Sequence, residues 1–167
     1  MKAKDNLSES LEDYLEIILG LEKQNKVARA KDIADKMGVK RGSVTSALKN
    51  LGERGLINYE PYSFITLTPD GSKIAKNIVY RHTVIKNFLV NVLQIDDAVA
   101  EPIACKMEHT VDKHTLERMV EFFDFIFSCP RAGEDWIKGF LSHCSTKKAK
   151  NTETCSECIE NCLKKEE

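Results

Sequence analysis

The sequence predicts a mainly α-helical protein with one small β-hairpin wing: a winged helix-turn-helix domain followed by a helical domain. Three observations lead there. Apolar residues recur at helical spacing through most of the first 127 residues. A short helical segment closes at Gly38, a good residue just past a helix end, and a second helical segment follows at once. Two β-prone runs about a Pro-led turn come next. Helix, short helix, helix, hairpin is the winged order, in which the third helix enters the major groove of DNA.

Each element has its own signal. Ser8 is the N-cap of a first helix from Glu9 to about Gln24, with Leu11, Tyr14, Leu15, Ile18 and Leu21 as its apolar stripe and an exit at Asn25 and Lys26. A second helix covers about Ala30 to Met37. A third runs from Gly42 or Ser43 to Arg54, and Gly55 closes it. Leu56–Glu60 and Phe64–Leu67 flank Pro61-Tyr62-Ser63 as the hairpin. Thr68-Pro69 reads as an N-cap with Pro at the first helical position, opening a long helix to about Leu93. Asp96 begins a helix carrying Val99, Ile103, Met107 and His109, and Asp112 caps one carrying Leu116, Met119, Val120, Phe123 and Ile126. From Ser128 onward the chain turns Cys-, Lys- and Glu-rich, with few aliphatics. A boundary is expected near Cys129-Pro130, leaving 129–167 as a Cys-rich tail.

The 167 residues are 42% hydrophobic, enough for a core, and the net charge of −1 does not by itself point to nucleic acid. The local balance does. Between Lys36 and Arg54 the basic residues are Lys36, Lys40, Arg41, Lys49 and Arg54, against Glu53 alone. Such a patch binds phosphates by releasing counterions; standing alone it reads equally as a solvated helix face. On the third helix, Lys40, Ser43 and Ser46 are the expected base-reading residues, Arg41 and Lys49 the phosphate contacts, and Gly42 the point of close backbone approach. Tyr62 and Ser63 of the hairpin loop would lie along the sugar-phosphate backbone. The first residues are polar, and no apolar run approaches the ~20 residues that span a bilayer, so the expectation is a cytoplasmic protein off the membrane. Six cysteines in a reducing compartment point to metal or redox chemistry rather than disulfides.

Three groups of side chains have metal-ligand chemistry. Asp13 and Glu16 are three apart on the first helix. Glu101, Cys105, Glu108 and His109 share one face of a later helix, and His82 lies on the long helix between. Each alone has a bland reading: a solvated pair, a half-buried histidine, a small core cysteine. A cysteine, a glutamate and a histidine on one face are harder to bury without a cation. Carboxylate, imidazole and thiolate together suit a first-row divalent ion.

At these residues the chain resembles the diphtheria-toxin-repressor family of metal-dependent regulators. The stretches that carry the resemblance are Ser10-Leu-Glu-Asp-Tyr-Leu-Glu16, Asp32-Ile-Ala-Asp35 with Ser43-Val-Thr45, Leu67-Thr-Pro-Asp-Gly71, Tyr80-Arg-His82 and Ala104-Cys-Lys-Met-Glu-His109, spanning about Ser8 to Phe127. The resemblance implies a homodimeric repressor on a palindromic double-stranded operator, with residues 1–72 binding DNA and 73–128 binding metal and dimerising through the stripe from Leu116 to Phe127. Asp13, Glu16, His82, Glu108 and His109 fall on the ligand positions of the manganese-responsive branch, while Cys105 replaces that branch's glutamate and matches the iron-responsive branch. The chain is a hybrid. Lys86 and Glu101 stand where the iron branch has ligands of a second site, and a protonated Lys86 cannot ligate. Fe(II) satisfies both the thiolate and the carboxylates and ranks ahead of Mn(II) as co-repressor.

Beyond the resemblance lie Cys129, Cys144, Cys155, Cys158 and Cys162. Cys155-x-x-Cys158 is a common metal knuckle, and a poorly cored tail can be held by a structural Zn(II) or by an iron-sulfur cluster; a solvated tail with free thiols is the plain alternative. An alternative function follows, a redox or iron-sulfur sensing regulator of the same architecture. A metal buffer is another. An enzyme is disfavoured, because no HExxH, phosphate-binding loop or nucleophile motif is present.

Overall fold

A computed structural model describes residues 7–60, 63–128 and 137–141. The elements, in order, are α1 (Glu9–Asn25), α2 (Ala30–Met37), α3 (Arg41–Glu53), β1 (Ile57–Asn58), β2 (Thr66–Leu67), α4 (Pro69–Asn87), α5 (Asp97–Met107) and α6 (Lys113–Ser128). A π-helical turn, Phe88–Val92, prolongs α4.

The expected caps form. Ser8 accepts from the Leu11 amide, Thr68 from Gly71, Asp96 from Ala98 and Asp112 from Thr115. Each supplies a side-chain oxygen to a helix-start N–H that has no partner in its own helix. Lys26, with φ 66°, and Gly38, with φ 65°, end α1 and α2 in the left-handed region.

β1 and β2 pair antiparallel, Ile57 opposite Leu67 and Asn58 opposite Thr66. The sequence did not suggest that the α1–α2 connection would add to the wing. Ala28 and Ile65 exchange both backbone hydrogen bonds, at 3.0 and 2.9 Å, so the wing is backed by the start of the reading motif. One apolar core joins Leu15, Ile18, Ile33, Val44, Leu48, Leu51 and Ile65, all fully buried. Burying each such side chain contributes roughly 1.5–3 kcal/mol. At the foot of α4, Thr68 Oγ1 donates to the Gly55 carbonyl at 2.8 Å. A Cβ on Gly71 would stand 1.9 Å from the Leu56 carbonyl oxygen, so only glycine fits that crossing.

A second core gathers Ile85, Leu89, Ala100, Ala104 and Leu116 from α4, the π-turn, α5 and α6. A third joins Val92, Ile126 and Ile137. Two expectations need correction here. The long helix does not stay α-helical to Leu93: the Leu93 and Ile95 amides reach back to Phe88 and Leu89. And α5 stops at Met107, so His109 is not on it. Glu108 caps the helix, and the Thr110 and Val111 amides both return to the Met107 carbonyl in a tight turn.

Candidate metal centre and nucleic-acid interface

Glu108 is the only polar side chain fully buried among the described residues. Its Oε2 lies 2.7 Å from His82 Nδ1, and its Oε1 is buried with no hydrogen-bond partner. A carboxylate oxygen left bare in the interior is costly. Burial first, and the nearby Glu16 second, hold this carboxyl above its ordinary range.

Two trios converge on Glu108. Asp13, Glu108 and His109 form one, and Glu16, His82 and Glu108 the other, with the ligand atoms of each within 4.8 Å of one another. α1 supplies Asp13 and Glu16, α4 supplies His82, and the turn after α5 supplies Glu108 and His109. Asp13 and Glu16 are also raised, mainly by burial. His109 is raised too: burial opposes its charged form, but the hydrogen bond it donates to Glu12 and the charges of Asp13 and Glu108 outweigh it. Its Nε2 is 3.0 Å from Asp13 Oδ1 and 3.5 Å from Glu108 Oε1. Burial thus disfavours the charged form of all three carboxyls, while the carboxylates around His109 favour its charged form. Three carboxylates and two imidazoles are donors that would fit a divalent first-row ion, and Glu108 Oε1, which makes no hydrogen bond, would be open to it.

The structure brings together Asp13, Glu16, His82, Glu108 and His109. It does not bring Glu101 or Cys105 into either trio. Glu101 pairs with Lys86 at 2.7 Å, which holds its carboxyl below the usual range, and with His82 Nε2 at 3.4 Å. Cys105 is exposed and joins neither trio, although the carboxylates of Glu108, Asp13, Glu16 and Glu101 surround it. Burial first, and the surrounding carboxylates second, push its thiol up. Sequence reasoning missed Glu12, which accepts from both Arg81, at 2.8 Å, and His109 Nδ1, at 2.9 Å.

Lys40, Arg41, Gly42, Ser43, Ser46 and Lys49, at the start of α3 and along it, are all exposed, and Ser63 is exposed on the wing. Tyr62 lies outside the described residues. Arg29, Lys31 and Phe64, which the sequence reading passed over, border a groove with Arg41, Thr45 and Ser63, and the Arg29 guanidinium sits 5.2 Å from the centre of the Phe64 ring. Cys129, Cys144, Cys155, Cys158 and Cys162 lie outside the described residues.

Residues 6–65 match the family model for the iron dependent repressor N-terminal DNA binding domain. Residues 68–137 match that for the iron dependent repressor metal binding and dimerisation domain. The chain belongs to the iron-dependent repressor family, that of the diphtheria toxin repressor. An uncharacterized HTH-type transcriptional regulator of Methanocaldococcus jannaschii is 40% identical over 119 residues, covering 71% of this chain and 95% of that protein. The transcriptional regulator MntR of Salmonella typhimurium is 36% identical over 114 residues, 68% of this chain and 72% of that one. Among solved structures of iron-dependent-repressor relatives, the manganese regulator SloR superposes with a TM-score of 0.62 at 30% identity, over 69% of this chain and 54% of that chain. IdeR of T. acidophilum gives 0.62 at 26% identity, over 71% and 55%. The chain thus spans about half the length of these two solved relatives. No helix among the described residues is long and apolar enough to cross a membrane.

Proposed function

We propose that this chain is a homodimeric DNA-binding transcriptional repressor, not an enzyme, whose hold on a palindromic operator depends on divalent metal at Asp13, Glu16, His82, Glu108 and His109. The observation that carries this is Glu108: buried, with Oε1 making no hydrogen bond, and common to two trios that tie α1 to α4 and to the turn after α5. Asp13, Glu108 and His109, and Glu16, His82 and Glu108, are the two sets of residues that would hold the metal. When bound, the metal supplies fixed positive charge at the point where the two domains meet.

The rest is done by the chain. Asp13 and Glu16 sit on α1, whose far end supports the wing; His82 sits on α4, which leaves the wing and enters the second core. Drawing these together fixes the reading head of each subunit relative to its dimerisation helices. Metal promotes DNA binding only if it favours the arrangement that fits the operator. We place the second copy against α6. Leu116 and Ile126 of the expected seam face this chain's own cores, while Phe122, Phe125 and Phe127 are 40%, 57% and 52% exposed.

Because Cys105 stands outside both trios, the donor set is harder than the sequence implied. Such a set suits Mn(II) ahead of Fe(II), and the similarity to the manganese regulator SloR leans the same way. The test is anaerobic duplex binding with Mn(II), Fe(II), Zn(II) and chelator in parallel, with bound metal measured on the same samples. Tight binding in chelator, equal to that with any ion, overturns the proposal.

A further inference from the structure

We propose that Glu12 is the positioning residue for His109: it is not a ligand, but fixes which imidazole nitrogen faces the ion. The inference rests on the metal-site reading above and deepens it.

His109 is nearly closed off, its side chain 6% exposed, and its ring lies between two carboxylates from consecutive residues of α1. Nδ1 faces Glu12 Oε2 at 2.9 Å and Nε2 faces Asp13 Oδ1 at 3.0 Å. One neutral imidazole has one N–H and one lone pair. An acceptor held against Nδ1 keeps the proton there and leaves the Nε2 lone pair directed at Asp13 and Glu108, where the trio converges. Glu12 is in turn held from a third element. Arg81 of α4 donates to the same Oε2 at 2.8 Å, its side chain 20% exposed and that of Glu12 19%. With two donors from α4 and the post-α5 turn on one oxygen, Glu12 is engaged away from the ion. Asp13, one residue on, joins a trio and Glu12 does not.

The second imidazole repeats the plan in a more open form. His82 turns Nδ1 to Glu108, at 2.7 Å, and Nε2 to Glu101, at 3.4 Å, and Lys86 holds Glu101 at 2.7 Å. Each ring thus has a trio on one side and, on the other, a carboxylate steadied by a basic residue. Glu101 is 54% exposed, so water competes there and its effect is the smaller.

Outer partners of this kind typically change metal affinity by about 10–100-fold when removed. A salt bridge that merely joins α1 to α4 would change folding stability and leave ion affinity alone. The experiment compares full-length wild type, Glu12→Ala, Glu12→Gln and His109→Ala. The readouts are Mn(II) affinity by competition titration, urea denaturation of the metal-free protein, and the imidazole nitrogen NMR spectrum of the Zn(II)-loaded protein as a diamagnetic probe. Expected are a loss of about 10–100-fold in Mn(II) affinity for Glu12→Ala, most of it restored in Glu12→Gln, which keeps an acceptor oxygen. The His109 ring should carry its proton on Nδ1 in wild type and lose that single pattern in Glu12→Ala. Unchanged Mn(II) affinity in Glu12→Ala, or a Glu12→Gln variant as weak as Glu12→Ala, overturns the inference. If instead wild type fails to take up Mn(II), or His109→Ala takes it up equally well, the metal-site reading itself falls.

Discussion

Glu22, near the C-terminal end of α1, accepts the backbone N–H of Leu67 in the wing at 2.9 Å. The helix that bears Asp13 and Glu16 therefore also bears the β-hairpin. Glu22→Ala would leave a part-buried amide without a partner, at a cost of about 1–3 kcal/mol, read from the urea midpoint. Glu22→Gln keeps an acceptor and should stay close to wild type. Equal loss in both would show that the carboxylate charge, not the acceptor, matters.

Glu108→Gln separates metal binding from folding. The amide keeps an oxygen for His82 and removes a charge that burial disfavours, so the metal-free protein should melt no lower than wild type. The rise in melting temperature on adding Mn(II), which at 100 times Kd corresponds to about 2.7 kcal/mol, should vanish. A persisting rise would place the ion elsewhere.

Lys49→Ala should weaken binding to every duplex sequence alike and reduce the slope of log affinity against log salt by about one unit. Its ion pair with Glu53, 3.9 Å long with both side chains mostly exposed, adds little to the fold. Thermal melting should be unchanged, and an unaltered salt slope would remove Lys49 from the interface.

Phe125→Asp should convert the dimer to a monomer in sedimentation or light-scattering measurements, with helical content retained, because the side chain is largely exposed within one subunit. Binding to a two-half-site duplex should drop with it. A dimer of unchanged strength would move the seam off this face of α6.

What could be read in advance was local. The caps at Ser8, Thr68, Asp96 and Asp112 each act on an amide two or three residues away, within reach of sequence pattern. The helical class followed from apolar periodicity, and the family from motifs at Tyr80-Arg-His82 and Cys105-x-x-Glu-His109. What escaped was long-range. Ala28 and Ile65 bridge the wing, Glu22 meets Leu67 across 45 residues, and Glu12 meets His109 across 97. None of these partners has a sequence signature, because a carboxylate on a helix face looks solvated until another element arrives. The spacing of Cys105, Glu108 and His109 implied one helical face; α5 ends at Met107, and of the three only Glu108 and His109 join the trios.

Gly71 bears on how such a molecule can flex. With the start of α4 pressed so closely on the Leu56 carbonyl, and Thr68 stitched to Gly55, the joint between wing and long helix is a weld. A swing of the reading head cannot be taken up there. An ion held by Asp13, Glu16, His82, Glu108 and His109 would act elsewhere, on the crossing of α1 with α4 and with the turn after α5, and would leave this joint as it is.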